Sequence, residues 1–156
     1  MKGSKGDSPG RAATAVFVPA LALNFDWELL QCSLYIMPPD TGSIWWHCLR
    51  ASLGDAVLVL LIWALGWLIF RSGFWFKTPG AKGYAVMVVG GLWLGAAMEW
   101  ISVHLLKRWT YEPEMPIVPL LQVGLLPLIQ LAVLSPLVFR LATLSARRQR
   151  EATGGR

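Results

Sequence analysis

The chain has 156 residues, of which 55% are apolar and only 15% charged, with a formal net charge of +5 and a mean hydropathy of +0.51. That is enough chain for one domain, and too much apolar material for a soluble domain of this size to hide. The basic residues flank apolar runs instead of forming a compact basic surface. They therefore read as orientation signals and contacts to anionic headgroups, and nucleic-acid binding is excluded.

In chain order, residues 1–11 (MKGSKGDSPGR) are Gly, Ser and Lys-rich and are expected to be a disordered N-terminus. Four apolar runs follow, at about 12–37, 51–70, 84–106 and 117–144. A helix needs about 20 residues to cross the hydrocarbon of a bilayer, and each run is long enough. The expected fold is all-α, a polytopic membrane bundle of four transmembrane helices in one domain spanning 12–144. A basic tail, 145–156, is expected to fray. Pro38-Pro39-Asp40-Thr41-Gly42 marks a turn after the first run, and Trp45, Trp46, His47 and Cys48 are expected in that same connection. The fourth run carries Pro119, Pro127 and Pro136 and is expected to tilt or kink.

The first run contains Asn24, Asp26, Glu28 and Gln31, so a cleaved signal peptide is its rival reading, with Ala20-Leu21-Ala22 as the cleavage site. Pro19 and the apolar residues from Leu29 to Ile36 argue for a retained span. Orientation follows from Lys and Arg. With four helices, eleven fall on the side of both termini and three on the other, namely Arg50, Lys107 and Arg108. Both termini are thus expected in the cytoplasm. Trp45, Trp46 and Trp109 then lie at the outer interface and Trp75 at the inner one.

Polar groups inside a membrane are costly and mark function or helix contacts. Asn24, Glu28, Gln31 and Tyr35 are spaced on one helical stripe, which Asp26 leaves. Gly91, Gly95 and Glu99 are spaced by four, so close helix approach carries Glu99 into an interface. Glu28 and Glu99 each lie roughly 10–13 Å below the outer ends of their helices. Asp55, Gln122 and Gln130 enter from the same side. The polar groups therefore converge in the outer half of the bundle. Glu28 and Glu99 are expected to approach each other across a contact between the first and third helices. Two carboxyls facing each other at low dielectric do not both ionise; they share a proton, bind a cation, or act as acid and base.

The candidate catalytic residues are Glu28, Glu99 and Asp55. The candidate substrate-binding residues are Asn24, Gln31, Trp109, Tyr111, Gln122 and Gln130. His47, Cys48 and His104 have ligand chemistry suited to a metal but no tight spacing. No cofactor is indicated, and no phosphate loop, GxSxG, HExxH or GxGxxG occurs.

Several strings form a composite: Asn24-Phe25-x-Trp27-Glu28-x-x-Gln31, Leu53-Gly54-Asp55, Arg108-Trp109-x-Tyr111-x-x-x-Met115-Pro116, and Gly124-Leu125-x-Pro127-Leu128-x-Gln130. Together they resemble a family of small uncharacterised bacterial four-helix integral membrane proteins. The resemblance implies a location in the bacterial inner membrane and no reaction. A looser likeness to carotenoid and isoprenoid membrane enzymes is analogy alone. A structural or accessory role, packing on a partner membrane protein or in a homo-oligomer, is the first functional expectation. The alternatives are an enzyme acting on a lipid or isoprenoid-like substrate through paired carboxylates, and a cation, proton or metal carrier.

Overall fold

The structure, a computed structural model, describes residues 8–37 and 42–154. It is an all-α bundle of four helices, α1 (Pro9–Gln31), α2 (Ile44–Phe70), α3 (Gly80–Trp100) and α4 (Leu125–Gly154). Each helix is long and apolar enough to cross a bilayer, which makes this a multi-pass membrane protein.

Local chemistry sets the helix starts. The Ser8 hydroxyl accepts from Arg11 N at 3.4 Å, and Pro9 occupies the first turn, where its missing N–H costs nothing. The Ser43 hydroxyl accepts from Trp46 N at 3.3 Å at the head of α2. That helix ends on Arg71, whose left-handed φ of 55° turns the chain.

Residues at four-residue spacing build the interior. The buried stripe of α1 runs Ala12, Val16, Ala20, Asn24, Glu28 and then Gln31. On α3 it is Gly83, Met87, Gly91, Gly95 and Glu99. A Cβ on Gly91 would stand 2.7 Å from the backbone of Leu131 and Ala132, and one on Gly95 would stand 2.9 Å from the Leu128 carbonyl oxygen. These glycines let α3 lie backbone to backbone against α4. The expected contact between the first and third helices does not form as such. α1 packs on α2 and α4, while α3 packs chiefly on α4 and more lightly on α2.

The two ends differ. At one end Trp63, Trp75, Phe76 and Phe139 form an aromatic plug, in which Trp75 Nε1 donates to the Trp63 carbonyl at 3.0 Å and Trp63 Nε1 to that of Gly73 at 2.8 Å. At the other end the α1–α2 and α3–α4 connections join. β1 (Tyr35–Ile36) pairs antiparallel with β2 (Thr110–Tyr111), with Tyr35 opposite Tyr111. β3 (Ile117–Val118) and β4 (Val123–Gly124) form a hairpin beside them. We call this the lidded end.

Several sequence boundaries shift. The first run divides at Gln31, because a 3-10 turn (Cys32–Leu34) redirects the chain into β1. Ser43 caps α2 earlier than its apolar run, so Trp45, Trp46, His47 and Cys48 belong to the helix and not to a connection. The third run relaxes into a π-helical turn at Ile101–Leu105. The fourth run begins as the β3–β4 hairpin, and its helix starts only at Leu125. Pro119 lies before that helix, Pro127 falls in its first turn, and Pro136 alone is interior. The expected frayed tail continues α4 to Gly154, and the expected disordered N-terminus is helical from Pro9. Residues 1–7 and the 38–41 part of the first turn lie outside the described residues.

Candidate functional site

Beneath the lid, one cavity of about 360 Å³ opens among α2, α3 and α4 and reaches Glu28 of α1. Glu28, Asp55 and Glu99, from three different helices, all stand in its wall, together with Gln130. Among the described residues, Arg108 is the one cationic side chain in that wall.

Gln130 organises one side. Its Nε2 donates to Asp55 Oδ2 at 2.8 Å, to Asn24 Oδ1 at 2.9 Å and to Glu28 Oε1 at 3.3 Å. Its Oε1 accepts from Gln31 Nε2 at 3.1 Å, and Gln31 Nε2 also donates to Glu28 Oε1 at 3.0 Å. Trp27 Nε1 in turn holds Gln31 Oε1 at 3.0 Å, and Asn24 Nδ2 holds the Ala20 carbonyl at 2.8 Å. Both carboxyl oxygens, Glu28 Oε1 and Asp55 Oδ2, thus approach the same nitrogen. A buried amide network of this kind satisfies groups that lipid or apolar core would leave unpaired.

Glu99 forms the other side. Its Oε1 accepts from Tyr111 O–H at 2.6 Å and from Trp109 Nε1 at 3.2 Å. Both bonds fall on Oε1. The strand pairing brings Tyr35 over the same site. Its ring lies 5.8 Å from those of both Trp109 and Tyr111, and His47 stands edge-on to Trp109 at 6.2 Å. Burial, with Glu99 and Glu28 nearby, pushes the Tyr35 hydroxyl far above its ordinary range. Burial and the bond to Glu99 push Tyr111 up as well. Both lid phenols therefore remain hydrogen-bond donors at any physiological pH.

Glu28, Asp55, Glu99, Trp109 and Gln130 line the cavity itself. Glu28 and Glu99 face it from helices that scarcely touch, and the Glu28 carboxyl accepts from side-chain amides of α1 and α4. Asn24 and Gln31 stand behind the wall as supports for Gln130 and Glu28, and Tyr111 stands behind Glu99. Gln122 lies away from the cavity; it is exposed, at a φ of 53°, and bonds the Pro119 carbonyl within the hairpin. The metal candidates scatter. His47 joins the lid, Cys48 is buried in α2, and His104 bonds the Leu121 carbonyl at 3.2 Å and packs on Trp100. Among the described residues no three His, Cys, Asp or Glu side chains gather as metal ligands.

Tyr35 and Arg108 line the cavity without being among the candidates named from the sequence. Tyr35 carried a signal, since it continues the Asn24–Glu28–Gln31 stripe. Arg108 reaches the wall because the left-handed turn at Lys107, with a φ of 49°, folds the connection back over the bundle. Gly54, Leu58 and Met98 also line the cavity and carried no polar signal.

Comparison with family models, with curated proteins and with solved structures gives no match.

Proposed function

We propose that this protein is an enzyme of the bacterial inner membrane that performs general acid–base chemistry on a lipid or isoprenoid-like substrate. The observation that carries the reading is the cavity of about 360 Å³ in whose wall Glu28, Asp55 and Glu99 meet. A pocket of such size, apolar with a few convergent polar groups, fits a small part of a lipid-like molecule. Glu28 and Asp55 sit close enough to share one proton and act as the acid. Glu99, oriented by Tyr111 and Trp109, is the complementary base. His47 and Trp109 shield the site from water. The surrounding partner is the bilayer, with both termini in the cytoplasm and the lidded end on the outer side. The basic residues serve orientation and headgroup contact, not nucleic acid.

A second reading has its own support. Gln130 joins α1, α2 and α4, as a purely structural clasp would, in an accessory protein packed against a partner or in a homo-oligomer. A carrier is less well supported. Beyond the carboxyl cavity the interior is apolar from Ile62 and Met87 to Phe139, and among the described buried residues there only Ser135 is polar.

The test compares lipid extracts from cells carrying the wild-type protein, Glu28→Gln and Glu99→Gln, alongside the amount of folded protein in the membrane. The enzyme reading expects both variants to fold and one lipid species to accumulate in both. Normal folding with unchanged lipids overturns it. Loss of folded protein from both variants instead favours a structural role for the carboxyls.

A further inference from the structure

The carboxyl cavity is not closed on its membrane side. Gly54 lines it and is itself exposed, and beside it Val57 and Met98 are 50% and 39% exposed. A Cβ built on Gly54 would meet nothing within 4 Å. This is a gap in the wall between α2 and α3, facing where the lipid lies.

A second hollow, of about 540 Å³, continues along the same seam. Leu61 and Leu65 of α2 and Val86, Gly90, Trp93 and Leu94 of α3 line it. Helical spacing shows that the two hollows share one line. On α2, Gly54, Leu58, Leu61 and Leu65 recur at four, three and four residues. On α3, running the opposite way, Met98, Leu94, Gly90 and Val86 recur at four. The seam stays open because α2 packs mainly on α1 and α3 mainly on α4. Gly90 adds room, since a Cβ there would only just touch Ile62, at 3.7 Å. From Gly54 to Leu65 the line runs about 16 Å, roughly half the hydrocarbon thickness. Its walls are apolar throughout, whereas the cavity at its head holds three carboxyls and one guanidinium.

We propose that the α2–α3 seam is the tail site of a single-chain amphiphile whose small uncharged or cationic head, a hydroxyl or an amine, enters the carboxyl cavity through the gap at Gly54. The assignment rests on the enzyme reading for what happens to the head, but not for the binding itself. Charge decides the head: three acidic groups against one Arg108 favour a hydroxyl or an ammonium and disfavour a carboxylate or phosphate. Shape decides the tail: one groove of helix-to-helix width takes one chain, and its open side lets the chain slide in from the bilayer without leaving hydrocarbon.

The experiment places the full-length protein in phosphatidylcholine vesicles with one of two probes. One is a long-chain primary amine bearing a photoreactive diazirine in mid-chain; the other is the fatty acid of the same chain and diazirine. Mass spectrometry maps the labelled residues. The amine is expected to label Leu61, Leu65, Val86 and Trp93 saturably. Gly54→Leu, which closes the gap, and Leu61→Trp, which fills the groove, are each expected to lower that labelling at least tenfold. Thermal melting checks that both variants fold. Even, non-saturable labelling of all lipid-facing helix surfaces, or groove labelling unchanged in both variants, overturns the tail site. Equal saturable labelling by the fatty acid overturns the assigned head chemistry. Because labelling needs no turnover, saturable groove binding alongside unchanged cellular lipids would refute the enzyme reading and leave the tail site standing.

Discussion

Gln130 of α4 donates to Asp55 of α2 across 2.8 Å, and the same nitrogen reaches Asn24 and Glu28 of α1. One amide therefore ties three helices at the depth of the acidic cavity. Gln130→Leu keeps the volume and removes every one of these bonds, so Asn24 Oδ1 and Asp55 Oδ2 lose their amide donor while Glu28 Oε1 keeps the bond from Gln31. The expected cost is about 1–3 kcal/mol, measured by unfolding in detergent. Gln130→Glu should cost more, because it adds a fourth acid to the cluster. A Leu variant as stable as wild type would show that water or lipid headgroups already satisfy the site.

The glycines of α3 should separate by neighbour and not by sequence. Gly91→Ala pushes a methyl into the α4 backbone at 2.7 Å, where nothing flexible can give way. Gly90→Ala, one residue earlier, makes ordinary contact with Ile62. The first is expected to lose about 1–3 kcal/mol, and the second to change stability by less than about 0.5 kcal/mol. Parallel thermal melts check this, and equal losses would mean that α3 does not lie on α4 by this face.

The bundle was legible in the sequence because membrane spans announce themselves through length and apolarity, and because four-residue spacing betrays an interface. The stripes of Asn24–Glu28–Gln31 and Gly91–Gly95–Glu99 each mark a buried face. What those glycines faced was not legible. A stripe says that a partner helix comes close, not which one, and α4 took the place expected for α1. The lid was hidden for a different reason. β1 and β2 are two residues each and lie 74 or more positions apart, too short for any alternating pattern. The hairpin at 117–124 carries enough Ile, Val and Leu to pass for the start of a span, and only its pairing shows otherwise.

The proposed membrane orientation rests on the eleven-to-three split of basic residues. A fluorescent reporter that matures only in the cytoplasm should report when fused after Arg156 or inserted within 71–82, and stay dark when inserted beside Gly42. The reverse pattern would place the lidded end in the cytoplasm and would send the seam's amphiphile in from the inner leaflet.

The lid tyrosines give the protein an alkaline limit. Tyr35 and Tyr111 both hold their protons above the ordinary tyrosine range in the folded state, chiefly because of burial, with Glu99 beside each. An unfolded chain releases those protons at the ordinary value. Between the two values the unfolded state therefore binds fewer protons than the folded one, and stability falls as pH rises. The contribution is whole below the ordinary tyrosine value and is lost progressively above it. The thermal midpoint of the wild type should accordingly drop as pH is raised through and beyond that value. Tyr35→Phe and Tyr111→Phe should each flatten the drop, and the double variant should flatten it most. Tyr111→Phe also removes the 2.6 Å bond to Glu99. It should therefore lower stability at neutral pH by about 1 kcal/mol, whereas Tyr35→Phe, which keeps the ring contacts with Trp109 and Tyr111, should leave neutral stability nearly unchanged. Ultraviolet difference spectra supply an independent check, since tyrosinate absorption in the folded wild type and in the double variant should coincide through the ordinary range. Extra tyrosinate signal from the wild type in that range, before any unfolding, would show that water reaches the lid and that the cavity beneath it is wet.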